Sequence, residues 1–204
     1  MFPPAITTPR LDLRRANEAL DPLDHHEYFG ATETIVEETR YVSWHPHETL
    51  RETEAALESF ESAWEDAESA TYAIFPREGE EGAGTLAGTT ALNLDWDRRS
   101  ASLEIWLRKP FWGRRYAGER AGALYDLAFD RLDLDLVSVF HHVDNEKSRS
   151  AVNRYVERFG GHCEGRLRNA IDTANGPADV YRYSVTQDEW RDAVAEDPLE
   201  VTYP

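Results

Sequence analysis

The sequence predicts an α/β (α+β) fold, helices alternating with the strands of a mixed sheet, and three observations carry that reading. Apolar residues recur with a period of two in some segments and of about 3.6 in others, and the two patterns alternate along the chain. Clusters of Gly, Pro and Asp punctuate the segments at short intervals. The 204 residues contain neither an internal repeat nor a linker long enough to divide them, so one domain accounts for the chain. A chain of this length buries roughly 70% of the surface its unfolded form exposes and needs no covalent staples.

Arg10-Leu11-Asp12-Leu13-Arg14 alternates charged and apolar side chains, as a half-buried strand does. Asp21 before Pro22 reads as an N-cap and a first helical residue, with Leu23 and Tyr28 turned inward. Tyr41 to His47, YVSWHPH, is an aromatic and histidine-rich connection. Leu50, Leu57, Phe60 and Trp64 fall on one face of a helix ending near Ala67. Thr71 to Phe75 and Thr85 to Leu94 read as strands joined by the Gly- and Glu-rich loop Pro76 to Gly84. The turn Asp95-Trp96-Asp97-Arg98 leads into the strand Ala101 to Leu107. Ala121, Leu124, Tyr125, Ala128 and Leu132 then repeat as the apolar stripe of a helix, and Leu136 to Phe140 is a buried strand. Val152, Tyr155, Val156 and Phe159 mark another helix, stopped by Gly160-Gly161. The strands His162 to Arg168 and Val180 to Val185 complete a unit of residues 1–185. Residues 186–204 form an acidic tail with one loosely docked helix around Trp190.

Asp and Glu number 39 against 22 Lys and Arg, a formal net charge of −17, and Lys109 and Lys147 are the only lysines. An acidic, lysine-poor surface stays hydrated when salt screens ordinary repulsion, which points to a salt-loving source; an acidic protein from ordinary conditions is the alternative. Such a surface repels a phosphate backbone, so nucleic acid is not an expected partner. Cys163 is the single cysteine, which leaves no internal disulfide and reads as a small core or edge residue. The opening MFPPAITTPRLDL lacks a basic region followed by an apolar run, and no window approaches a membrane span, so a cytoplasmic location and no membrane partner are expected. His45 and His47 have no Cys or carboxylate at ligand spacing, and no metal is expected. His141-His142, at a strand end, places one ring inward and one outward.

Against this background the stretch Leu103 to Arg120, LEIWLRKPFWGRRYAGER, stands apart. Arg108, Lys109, Arg114, Arg115 and Arg120 face only Glu104 and Glu119, five minus two, for a local charge of +3. A short strand runs through Pro110 and Gly113 straight into a helix, which leaves the first helical N–H groups unpaired and aimed over the loop. Orphan donors and the helix dipole together favour an anion there, and the ligand expected is one that bears phosphate. The nucleotide-binding pattern G-x-x-x-x-G-K-[ST] is absent.

Trp106-Leu107, Pro110, Trp112-Gly113-Arg114, Tyr116-Ala117 and Glu119 resemble the acyl-coenzyme A motif of the GCN5-related N-acetyltransferase (GNAT) superfamily. The likeness is to the branch of ribosomal-protein N-terminal acetyltransferases, RimJ/RimL-like, without a gap from Trp106 to Gly113. It extends over roughly Thr8 to Val185, and Asp144-Asn145-Glu146-Lys147-Ser148 resembles the family's N-x-x-S element. The resemblance implies the GNAT acyl-CoA N-acyltransferase fold with its mixed, mostly antiparallel central sheet flanked by helices, acetyl-CoA as co-substrate, and direct attack by an amine in a ternary complex. The acceptor it implies is a primary amine, a peptide N-terminus or a small amine; a homodimer is left open. It places the diphosphate of coenzyme A on the backbone of Trp112, Gly113, Arg114, Arg115, Tyr116, Ala117 and Gly118. The pantetheine arm falls along Ile105, Trp106 and Leu107 and against Asn145, which reads equally as a plain helix N-cap. Ser148 becomes the first candidate to hydrogen-bond or protonate the leaving thiolate. Two positions depart from the pattern. Arg115 fills a slot where glycine takes a positive φ, and Ser102 stands where the branch has Glu. Both departures favour the alternative of a non-catalytic acyl-CoA-binding sensor or structural module.

Glu104 shares a strand face with Ser102 and Trp106 by the two-residue period, which makes it the candidate general base; a solvent-facing Glu is the alternative. An α-amine, with a pKa near 8, is already partly neutral where a lysine amine near 10.4 is not, so base demand favours an α-amine acceptor. Tyr155 is the second candidate acid, but it precedes Gly160 by five residues where relatives have four. That difference of about 100° turns the phenol toward the core. In the family the segment matching YVSWHPH lines the acceptor cleft.

Overall fold

The computed structural model describes residues 1–173 and 176–204. Eight strands form one sheet in the order β1 (Ala5–Thr7), β2 (Leu11–Arg15), β3 (Ser69–Pro76), β4 (Gly88–Asp95), β5 (Ser100–Leu107), β6 (Leu136–His142), β8 (Gly176–Thr186) and β7 (His162–Thr173). Every neighbouring pair is antiparallel except β5 and β6. A parallel pair requires a crossover. Helix α5 (Tyr116–Asp126), prolonged by a π-helical turn over Leu127–Arg131, supplies it. The parallel pairing is short: Ser100 to Leu103 stand opposite Leu136 to Val139, and beyond them the strands part.

Each sheet face buries a different set of helices. Leu13, Tyr72, Ile74, Leu92, Leu103, Val137 and Val139 belong to the main core, which α5 and α6 (Glu146–Arg158) close with Leu124, Tyr125, Val152 and Val156. On the other face Ala73, Phe75 and Trp106 meet Ala16 of α1 (Ala16–Ala19), Phe29 of α2 (Pro22–Gly30), Ile35 of α3 (Ile35–Glu38) and Leu57 of α4 (Leu50–Glu65). The two-residue alternation along β5 follows from this: Leu103 and Ile105 go to the first face, Trp106 to the second.

The expected elements are present. Asp21 caps α2 by accepting from the N–H groups of Leu23 and Asp24. Leu23 itself is 76% exposed, because the buried position of α2 is Phe29 and Leu23 lies on the opposite side of the turn. β1, α1 and α3 run for only three or four residues, too short to show a period. Helix α7 (Gln187–Glu196) starts in a capping box between Thr186 and Glu189, and Trp190 is buried against Phe129. The Tyr203 hydroxyl donates to Asp126, and Thr7 and Thr202 exchange backbone hydrogen bonds of 2.8 and 2.9 Å. Residues beyond 186 are therefore packed into the body, where a loose helix was expected.

Candidate active site

The site is built where β5 and β6 separate. One edge of Glu104 to Leu107 is paired with β4, and the other faces the gap. Past Leu107 the chain makes a 3-10 turn over Lys109–Phe111 and enters α5. The amides of Gly113, Arg114, Arg115, Tyr116 and Ala117 have no acceptor among the described residues. Trp112 N–H is closed onto the Lys109 carbonyl at 3.1 Å and Gly118 N–H onto the Arg115 carbonyl at 3.2 Å, so the cradle is narrower at both ends than the motif implied. Arg115 adopts φ 65° and ψ 15°, the left-handed conformation that glycine supplies elsewhere. The loop thus keeps a glycine shape at a cost of about 1–2 kcal/mol.

The local +3 does not become a basic patch. Arg114 pairs with Glu81 at 2.9 Å, Lys109 with Glu37 at 2.6 Å, and Arg108 donates to the Leu86 carbonyl while lying 3.7 Å over Tyr28. Arg120 is fully buried. Only Arg115 is exposed and without an ion pair among the described residues. Glu119 is consumed as well: it accepts from Arg10 N–H at 2.8 Å, Arg10 Nε at 2.7 Å and Thr8 Oγ1 at 2.7 Å, stitching α5 to the start of β2. What the loop offers an anion is its amides and the helix dipole, with one arginine added. An orphan amide row beside an open strand edge fits a diphosphate followed by an extended amide-bearing arm.

Across the gap, Asn145 caps α6, its Oδ1 accepting from Ser148 N–H at 3.0 Å. The cap uses one oxygen, and the amide NH₂ has no partner among the described residues. Ser148 is half-buried in the first turn of α6. Tyr155 is 4% exposed in the main core, as its spacing to Gly160 predicts, and burial raises its phenol pKa. Along β5, the Leu107 carbonyl already accepts from Trp112 Nε1 at 2.7 Å and the Glu104 carbonyl from Thr90 Oγ1 at 2.6 Å. Trp106 is buried with its indole stacked 5.2 Å from Phe29.

Glu104 points to the same face as Ser102 and Trp106. Its side chain reaches solvent, yet protein surrounds it on the other sides. That desolvation pushes its carboxyl above the usual range, and a hydrogen bond from Asn93 offsets part of the rise. Opposite it, the segment after α3 forms an aromatic wall. Trp44 lies edge-on to Trp106 at 5.4 Å, and Tyr41 packs on His142 at 4.9 Å and donates to the Asp144 carbonyl at 3.2 Å. His47 and His26 both engage Thr53 Oγ1, at 2.9 and 2.8 Å, and burial lowers the His47 pKa. His45 is exposed, and among the described residues no group of three metal-binding side chains occurs.

Two acidic residues of α3 were not foreseen. Glu38 is buried, its Oε1 accepting from Lys109 N–H at 2.7 Å and Thr34 Oγ1 at 2.6 Å. Glu37 pairs with Lys109 at 2.6 Å and Lys147 at 3.2 Å, and those bonds, Lys109 first, hold its carboxyl below the usual range. Lys147 also lies 4.1 Å over the Trp112 ring. One carboxylate thus ties the two sides of the gap through the only two lysines in the chain. Their scarcity, and their positions flanking both motifs, was the available sequence signal.

Comparison with known proteins agrees with this architecture. The model of the Acetyltransferase (GNAT) domain family matches residues 10–155. Over 108 residues the chain is 33% identical to "Putative ribosomal N-acetyltransferase YdaF" of Bacillus subtilis (strain 168), a match spanning 52% of this chain and 57% of that protein. The solved structure of RimL, a ribosomal L7/L12 alpha-N-protein acetyltransferase, superposes with a TM-score of 0.72 at 17% identity, covering 91% of this chain and 96% of that one. The microcin C7 self-immunity acetyltransferase MccE, solved with acetyl-CoA and AMP, gives a TM-score of 0.71 at 17% identity, covering 87% and 93%. At these identities the two structures show the shared fold.

Proposed function

We propose, for a chain that belongs to the GNAT acetyltransferase family and is therefore an acetyl-CoA-dependent N-acetyltransferase, that the acceptor is the α-amine of a protein N-terminus. The observation that carries the site assignment is the parting of β5 and β6 beside five uncommitted amides. Acetyl-CoA, when bound, supplies the activated acetyl thioester. The amides from Gly113 to Ala117 hold its diphosphate, the open edge of Ile105 and Trp106 aligns its arm, and the free NH₂ of Asn145 donates to it. Glu104 accepts the proton of the attacking amine, directly or through water, and its raised pKa suits that role. The Ser148 hydroxyl hydrogen-bonds or protonates the departing sulfur. Orientation of two bound reactants can supply roughly 7–11 kcal/mol of the barrier, more than any single proton transfer.

The alternative of a non-catalytic module rests on Arg115 and Ser102. Arg115 holds the glycine conformation, and Glu104 stands on the same face two residues beyond Ser102. We treat residues 1–185 as the catalytic unit braced by 186–204, and the acidic surface as an adaptation to high salt. Relatives named for ribosomal proteins support a protein N-terminus as acceptor. Thiol release from acetyl-CoA, measured over N-terminal peptides and small amines at low and molar salt, tests these points together. Peptide-dependent release that strengthens with salt is expected. Release with small amines alone overturns the acceptor assignment, and acetyl-CoA binding without any release overturns turnover.

A further inference from the structure

We propose that the core between α5 and α6 binds a single monovalent anion of chloride size, held by Arg120, Tyr125 and Tyr155. Arg120 is 0% exposed, and among the described residues its Nε, Nη1 and Nη2 make no hydrogen bond beyond a loose one with the Tyr155 hydroxyl. The hydroxyls of Tyr125 and Tyr155, 0% and 4% exposed, have no other partner among the described residues. The guanidinium stands 5.8 Å from the Tyr155 ring, so these orphan groups gather on facing turns of two helices. This inference does not depend on the acetyl-transfer reading.

Charge and donor inventory decide the ligand. A guanidinium stays protonated even when burial lowers its pKa, so the interior holds a full positive charge. The only other buried charged residue among those described is Glu38, which faces the smaller core and is bound to Lys109 and Thr34. Glu119, next to Arg120 in sequence, is turned to Arg10. An unpaired buried ion is among the costliest features a fold can carry. The lining offers guanidinium N–H groups and two hydroxyls, with no carboxylate or carbonyl bonded to them. A water there could donate to the hydroxyl oxygens and accept from the guanidinium, but it would leave the positive charge uncompensated, which an anion accepting from the same groups does not. Its size is limited by close helix packing: a Cβ added at Gly118 would lie 3.5 Å from the Tyr155 Cβ, which favours a monatomic ion over an oxyanion.

The test exchanges anions at constant sodium. Thermal unfolding in sodium chloride and in sodium gluconate, an anion too large to enter, is expected to differ by about 5 °C or more. In Arg120→Met the difference should collapse, with the variant more stable than the parent in gluconate. An equal chloride effect in parent and variant overturns the site. Crystals of the unaltered protein grown in sodium bromide give a second readout that needs no variant. An anomalous peak within hydrogen-bond distance of the Arg120 guanidinium supports the proposal, and ordered water alone at that position overturns it.

Discussion

The two sides of the gap are held in different measure by buried bonds and by exposed ion pairs. The β5–loop–α5 side is fixed by half-buried, multiply bonded groups: Glu119 takes three hydrogen bonds at 15% side-chain exposure, and Trp112 is pinned to Leu107. The α3 side has one buried bond, from Lys109 N–H to Glu38 at 2.7 Å, and is otherwise tied by Glu37 to Lys109 and Lys147, with side-chain exposures of 45%, 44% and 71%. Exposed ion pairs contribute little and weaken with salt. The side proposed to take the cofactor is held by buried and half-buried bonds, and the side proposed to take the acceptor rests in part on bonds that salt weakens.

The strand between these walls gives the largest expected effect. Glu104→Gln should lower kcat by about 10²- to 10⁴-fold in steady-state assays while acetyl-CoA affinity holds. Because Glu104 must be ionised to accept a proton and its pKa is raised, kcat/KM should fall as pH drops through a value above the usual carboxylate range. That acid limb should vanish in the variant, and its persistence would assign the base elsewhere. Next comes the same insult applied to each wall. A Cβ at Gly88 would lie 2.0 Å from the Trp106 carbonyl oxygen, where β4 and β5 cannot separate, and Gly88→Ala should cost about 3–4 kcal/mol in urea titration. A Cβ at Gly30 would lie 1.9 Å from the His47 carbonyl oxygen, on a connection outside the sheet, and Gly30→Ala should cost about 1–2 kcal/mol while raising acceptor KM. Equal losses would erase the contrast between the two walls. Arg115→Gly, which relieves a left-handed arginine, should gain about 1 kcal/mol in the same titration. Glu37→Gln should barely move the melting temperature but change acceptor KM about two- to five-fold at low salt, converging with the parent at molar salt.

Element existence was legible in the sequence because long, periodic segments such as Leu50–Trp64 and Leu136–Phe140 encode their own burial. The cradle was legible because an abrupt strand–Pro–Gly–helix junction strands its amides regardless of context. Counting charges failed, since Glu37 and Glu81 answer Lys109 and Arg114 from far along the chain. Leu23 failed for a related reason: a single leucine cannot say which side of a short helix meets the core. The parting of β5 from β6 is a tertiary event that no local pattern records, and α3 is too brief to announce itself.

The brevity of that parallel join carries a mechanical consequence. Five strands lie on one side of it and three on the other, and four residue pairs span the seam. The proposed catalytic groups therefore sit on a fault line along which two blocks of sheet can scissor. A ligand lying in the crack acts as a rivet, so amide exchange along β5 and β6 should slow on coenzyme A binding before the outer strands respond.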